Sequence, residues 1–281
     1  MGHPFSAARV RRSPSFPRLT GVSLAVFDDM LGQLAGPWAA AQKSKRKSGR
    51  PLDIGGLEDH LLVTLIYYRC YITQEFLGFF YNVDRSAICR AIQRTEALAQ
   101  PLFGVKHAPK INRKEAEAMI VDCTEQPIER PCNNAVQREH YSGKKKRHTL
   151  KTEYLTTKAG RIASVSPSHP GSHHDLAIRR AGRRLPKRVH LYADSGYQGY
   201  DKDHRNFDFP YKKPRGGELN EEEREYNRGL SRFRVGIEHR IGGTKRFKIL
   251  AERHRNPRPK HCTKTSIVAG IVNMNAGFPA C

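Results

Sequence analysis

Apolar residues recur at helical spacing over residues 19–39, at Leu24, Phe27, Leu31 and Leu34, and predict a helix there. Leu57–Cys70 carries Leu61, Leu62, Leu65 and Ile66, the pattern of a buried helix. Thr73 can cap a short helix over Gln74–Phe80, and Asp84 a longer one over Arg85–Gln100. Between them Asn82 tolerates the left-handed backbone of a tight turn. Helix, short helix, turn and helix form the helix-turn-helix pattern over 57–102. At about 100° per residue, Ile88, Ala91 and Ile92 share one face of the last helix. Ser86, Arg90, Gln93 and Arg94 share the other, and such side chains read base edges and phosphates. A three-helix bundle with a polar outer face fits this segment equally well.

From residue 115 the rhythm changes to that of strands. Ala118–Val121 is a short apolar strand ending at Asp122. His148–Thr156 and Arg161–Ser166 read as a hairpin turning at Lys158-Ala159-Gly160. Asp175–Ala181 reads as a short helix, and Val189–Ala193 as an apolar strand ending at Asp194. Phe207–Tyr211 is a further strand, and a long helix runs from Glu221 toward Phe247. Gly236, Gly242 and Gly243 predict a bend or an end of that helix before Lys245, at about 1 kcal/mol of lost propensity each. Strands, hairpin and helices in this order give an α/β mixed sheet with helices on its faces, preceded by an all-α part.

Charge adds a class of partner. The chain has 281 residues, 50 Lys and Arg against 27 Asp and Glu, and a net charge of +23. That favours a polyanion over a small metabolite. Residues 43–50, 138–151, 202–215 and 240–260 carry +5, +5, +3 and +7. Any one block is an ordinary solvated loop; four together suggest a broad positive surface. No run reaches the ~18–20 apolar residues of a spanning helix, and the first residues lack the apolar core of a secretory signal. The six cysteines show no metal-finger spacing and read as free thiols in a reducing compartment.

Two strands ending in Asp122 and Asp194 would set both acids at one sheet edge if the strands are neighbours, where two carboxylates repel unless a cation lies between them. On the long helix Arg234, Glu238 and Lys245 share one face, beside the stripe of Leu230, Phe233, Ile237 and Ile241. Spacing alone leaves other acids open: Glu125, Glu129, Asp175, Asp201, Asp203, Asp208 and the run 221–223.

The strings VDCTEQPIERP, YSGKKKRHTLKT, PGSHHDL, ADSGYQG, PYKKPRGGELNEEE and NRGLSRFRVGIEHRIGGTKRFKIL occur in that order. Together they resemble a DDE-superfamily transposase, of the insertion-sequence family numbered five, related to Harbinger-type nucleases. The resemblance covers residues 18 to 275. It implies an RNase H-like catalytic domain over 111–281 and a helical DNA-binding domain over 18–110, preceded by residues 1–17, which read as a disordered tail. It implies Asp122, Asp194 and Glu238 as catalytic acids and ligands of two Mg²⁺ (or Mn²⁺) ions, hard cations that suit carboxylates. The activity implied is cutting of phosphodiester bonds at transposon ends and joining of 3′ hydroxyls to target DNA.

The helix signature of related groups fits as Arg234-x3-Glu238-x6-Lys245, with Ser231 where those groups have tyrosine and Cys123 where many have glycine. DNA-contact candidates are Ser86, Arg90, Gln93, Arg94, Lys144, Lys145, Lys146, Arg147, Arg234 and Lys245. His174 and Asp175 are auxiliary candidates, although Asp175 also suits the dipole of a helix that Ser172 would cap. The partners implied are double-stranded DNA, as terminal inverted repeats and target, and further copies of the chain in a homodimer or larger synaptic complex. The place implied is the bacterial cytoplasm at the nucleoid. A catalytically silent, transposase-derived DNA-binding protein is the competing reading. A tyrosine recombinase would need His-x-x-Arg, and a P-loop ATPase GxxxxGK[ST]; the sequence has neither.

Overall fold

The computed structural model describes residues 6–44, 54–107 and 117–279. Most of the basic arm over 43–52 and the boundary at 110–111 lie outside them. The chain forms two compact units, one of residues 1–104, 244–251 and 263–281, the other of residues 105–243 and 252–262.

The first unit is helical. The stretch expected as a tail instead forms α1 (Ala7–Arg11) and α2 (Phe16–Thr20). Ala7, Val10 and Phe16 are buried, and the Ala7 N–H donates to Asp59 Oδ1 at 2.8 Å. Three apolar residues scattered among arginine and serine suffice for this, too sparse a signal for a periodicity. Next comes α3 (Leu24–Lys43), whose first turn is capped by Ser23. In α4 (Leu57–Cys70) every residue from His60 to Tyr68 is buried. Thr73 caps α5 (Gln74–Tyr81), Asn82 adopts φ 51°, and Asp84 caps α6 (Arg85–Phe103) through the Ser86 and Ala87 amides, all as the sequence predicts. The Asp84 carboxyl sits below the usual range, chiefly through its hydrogen bond from Ser86.

The second unit is built on a mixed sheet. β1 (Ala118–Pro127) continues well past Asp122, and α7 (Asn134–His140) follows. β2 (Tyr141–Ser142), β3 (Arg147–Thr157), β4 (Ile162–Val165) and β5 (His169–Pro170) come next. After these stand α8 (Asp175–Ala181), β6 (His190–Tyr192), β7 (Phe207–Asp208) and α9 (Glu221–Lys245). The strand order is β2-β3-β1-β6-β7, with β4 and β5 also paired to β3. β1 is antiparallel to β3 and parallel to β6. Met119, Val121, Leu155, Leu191, Ala193 and Tyr197 form the core on one face. On the other face Phe233 of α9 packs against Tyr192 of β6, ring centroids 4.5 Å apart.

α9 does not break at its glycines. A side chain at Gly236 or Gly242 would touch nothing within 4 Å, so these glycines serve no close approach. Leu230, Ile237 and Ile241 are buried. At ~1.5–3 kcal/mol each, their burial outweighs the helix-propensity loss.

The chain then returns to the first unit through α10 (Lys248–Ala251) and most of α11 (His261–Asn275). Residues 244–251 and 263–281, inside the expected limits 111–281, thus pack with the helical unit. α11 lies so close to the end of α6 that any side chain at Gly270 would run into the Phe103 carbonyl oxygen. Lys264 Nζ donates to Glu96 Oε1 at 2.6 Å, and Tyr68 Oη donates to the same oxygen at 2.8 Å. α11 is buried nearly all round, so it shows no apolar stripe and periodicity did not find it.

Candidate active site and nucleic-acid interface

β1 and β6 run in register, Ile120 opposite Tyr192. Two residues on, along a pleat of period two, Asp122 and Asp194 project to the same face. Asp122 stays within the strand, opposite Tyr154 of β3, and its Oδ1 accepts the Cys123 N–H at 2.8 Å. Asp194 lies two residues past β6 and caps the short turn Ser195–Tyr197, accepting the Gly196 N–H at 2.8 Å. Burial pushes the Asp122 carboxyl up to about 6, and the charge of Asp194 pushes the same way. Arg234 of α9 opposes the rise and Asp175 adds to it. Arg234 is partly buried, with Nε unpaired within the protein. Arg234, a DNA-contact candidate, thus also brings its charge to bear on Asp122.

Gly196 leaves room that any side chain would take. A Cβ there would stand 2.9 Å from Asp194 Oδ1 and 3.0 Å from Asp175 Oδ2. The two carboxylates therefore face one another across a bare backbone. Ser172 does not cap α8; its N-cap is His174, which makes no side-chain capping bond. Asp175 Oδ1 accepts from Lys151 Nζ at 2.9 Å. His173 and His174 are exposed, and His173 contributes its carbonyl to Lys151.

Glu238 stands on the helix that brings Arg234 to the pair. It is exposed on α9, one turn past Arg234. Among the described residues no group of three or more His, Cys, Asp or Glu side chains is gathered to hold a metal ion. The Asp122–Asp194 pair nonetheless suits a divalent cation. Its donors are hard oxygens, the two like charges repel without one, and Gly196 puts no side chain against Asp194 Oδ1.

Four of the DNA-contact candidates stand on α6. Ser86, Arg90 and Gln93 are exposed and Arg94 is partly so, opposite buried Ala87, Ile88, Ala91 and Ile92. Arg90 Nη1 donates to Ser86 Oγ at 2.9 Å, which aligns the guanidinium along the outer face. Lys144, Lys145, Lys146 and Arg147 are exposed at the tight turn joining β2 to β3, with Lys146 at φ 52°. Four cations thus crowd one hairpin tip. Lys245 is exposed at the end of α9.

Other residues near the acids escaped the sequence reading. Lys151, counted there within a basic block, is sunk among Asp175, Glu125 and a carbonyl. Glu153, opposite Cys123 in the β1–β3 pairing, is buried against Arg179 at 2.6 Å. Burial lifts the Glu153 carboxyl to about 7, against the pull of Arg179. Tyr197 Oη donates to Cys123 Sγ at 3.2 Å. The run KTEYL carried a signal: charged residues within a strand buried throughout need partners.

The family described as DDE superfamily endonuclease matches residues 121–273, and the helix-turn-helix of DDE superfamily endonuclease matches residues 56–100. The chain is 32% identical over 271 residues to the probable transposase for insertion sequence element IS702 of Microchaete diplosiphon, covering 94% of this chain and 95% of that protein. No solved structure matches. The helix-turn-helix, the mixed sheet with its paired aspartates and these matches agree: the chain belongs to the DDE superfamily of endonucleases, with the transposases.

Proposed function

We propose that the chain is a DNA transposase that cuts phosphodiester bonds at transposon ends and joins the resulting 3′ hydroxyls to target DNA. The observation that carries this reading is the Asp122–Asp194 pair, each two residues beyond the in-register Ile120–Tyr192 pair of parallel β1 and β6, with the Asp122 carboxyl raised by burial and by its neighbour. Asp122, Asp194 and Glu238 are the residues proposed to hold two Mg²⁺ or Mn²⁺ ions. When bound, such ions activate the attacking oxygen and stabilise the leaving one. Asp122 is fixed by the β1–β3 ladder and Asp194 by its turn, so both are placed before substrate arrives. Glu238 lies one helical turn beyond Arg234, whose charge already reaches Asp122, and so faces the same side of α9. Arg234 limits the charge repulsion within the pair.

Ser86, Arg90, Gln93 and Arg94 are proposed to read base edges from α6, while Lys144, Lys145, Lys146, Arg147 and Lys245 hold phosphates. Terminal inverted repeats and target DNA are the partners, bound by a homodimer or larger assembly at the nucleoid. The test is Asp122→Asn with DNA carrying the element's ends. Cleavage in Mg²⁺ should vanish while binding in a shift assay stays near wild type; near-normal nicking by the variant overturns the assignment.

A further inference from the structure

We propose that Lys151 and Asp175 form a positioning pair that sets the charge of the acidic centre: Asp175 is a further carboxylate facing Asp194, and Lys151 holds it there and offsets part of its charge. This rests on the reading of Asp122 and Asp194 as the cation-holding residues.

Lys151 Nζ is surrounded by oxygen. It donates to Asp175 Oδ1 at 2.9 Å and to the His173 carbonyl at 2.7 Å, and lies 3.7 Å from Glu125 Oε1. Its place is fixed by the sheet, because Lys151 of β3 stands opposite Glu125 of β1. Glu125 is itself held by Thr149 Oγ1, which donates to its Oε2 at 2.7 Å. Only a tenth of the Lys151 side chain is exposed, so its ammonium is matched to this oxygen cage rather than to solvent.

Asp175 is shared between two neighbours. Its Oδ1 serves Lys151, while its Oδ2 points to the bare backbone of Gly196 beside Asp194 Oδ1. A contact that only fastened α8 to the sheet would need the first oxygen and not the second. The charge of Asp175 also reaches Asp122. Asp194 and Asp175 thus both bear on Asp122, and the lysine occupies the Asp175 oxygen that is not turned to Gly196. A divalent cation held by Asp122 and Asp194 would feel Asp175 as an outer negative charge, weakened by Lys151. Groups just outside a metal's direct ligands change its affinity by about 10–100-fold.

The pair therefore predicts effects of opposite sign. Titration of the full chain with Mn²⁺, following the free ion by electron paramagnetic resonance, should show about tenfold weaker binding in Asp175→Asn. Binding should be about tenfold tighter in Lys151→Met, which exposes the full charge of Asp175. Lys151→Arg should stay near wild type, and the double variant Lys151→Met/Asp175→Asn should return most of the way. A merely structural pair would lower the melting temperature in both single variants and leave Mn²⁺ affinity alone. Unchanged affinity, or a shift of the same sign in both, overturns the inference. Asp122→Asn separates the two levels. If it too binds Mn²⁺ normally, the proposed centre itself is wrong. If it loses Mn²⁺ while the pair variants do not change, the centre stands and only the pair's role falls.

Discussion

Lys264→Met should loosen the helical unit from a point outside the helix-turn-helix. Lys264 of α11 and Glu96 of α6 are 4% and 5% exposed, with Nζ 2.6 Å from Oε1. Removing the ammonium leaves Glu96 with Tyr68 Oη as its described hydrogen-bond partner, on the oxygen the lysine had shared. Breaking one side of a buried ion pair costs about 3–5 kcal/mol, because a charge remains buried without its partner. At roughly 2–4 °C per kcal/mol for a chain of this size class, the melting point should fall by about 6–20 °C. The assay is unusually selective. The chain has one tryptophan, Trp38, which lies in α3 against the His60 ring, centroids 4.8 Å apart. Its fluorescence in a urea titration reports the helical unit alone. Lys264→Met/Glu96→Gln removes both charges while leaving an acceptor for Tyr68, and should recover at least half of the loss. A single-variant cost below about 1 kcal/mol, the range of an exposed pair, would refute the reasoning. So would a double variant as damaged as the single one.

Gly196→Ala places a methyl group within 3.0 Å of two carboxylate oxygens. It should cut DNA cleavage by about 100-fold, as a displacement near 1 Å does in a positioned site, with DNA binding retained; cleavage within threefold of wild type refutes it. Replacing Lys144, Lys145, Lys146 and Arg147 by glutamine should flatten the slope of log affinity against log salt by about 3–4, at ~0.9 per phosphate contact. An unchanged slope would take that hairpin out of the DNA interface. The Glu153 carboxyl titrates near 7 in the folded chain and near 4.3 when unfolded. Between those values the folded state keeps a proton that the unfolded state releases, so stability should fall as pH rises across that window, by up to about 3 kcal/mol. Calorimetry of wild type and Glu153→Gln at pH 5 and pH 7.5 checks this; equal pH dependence in the two removes Glu153 as the cause.

Legibility in the sequence followed how local the causes were. Thr73, Asn82 and Asp84 act on their own neighbours in the chain, and they mark the limits of α5 and α6 well. Asp175–Ala181 forms a helix as expected, although the capping residue is His174 rather than Ser172. Asp122 and Asp194 were visible because each follows an apolar run. Their meeting depends on β1 and β6 being parallel neighbours, which spacing allows but does not require. α11 was hidden because burial on every side erases amphipathic rhythm. Lys151 was hidden because a basic residue in a basic block carries no mark of the oxygens that surround it. The angular reading put Arg234, Glu238 and Lys245 on one helical face, yet only the packing of Phe233 on Tyr192 decides which part of that face meets the sheet.

The helical unit takes its last pieces from the end of the chain, residues 244–251 and 263–281. A ribosome therefore delivers the helix-turn-helix long before the strut that completes it. At about 5–20 residues per second, roughly 8–30 s separate Phe103 from Lys264. During that interval Glu96 has no ammonium and the carbonyl of Phe103 has no helix against it. A nonsense or frameshift allele stopping between residues 104 and 263 would thus make α6 without its support. On the proposed function, such fragments should compete poorly for transposon-end DNA, so truncated alleles should behave as simple losses rather than as inhibitors of their full-length neighbours.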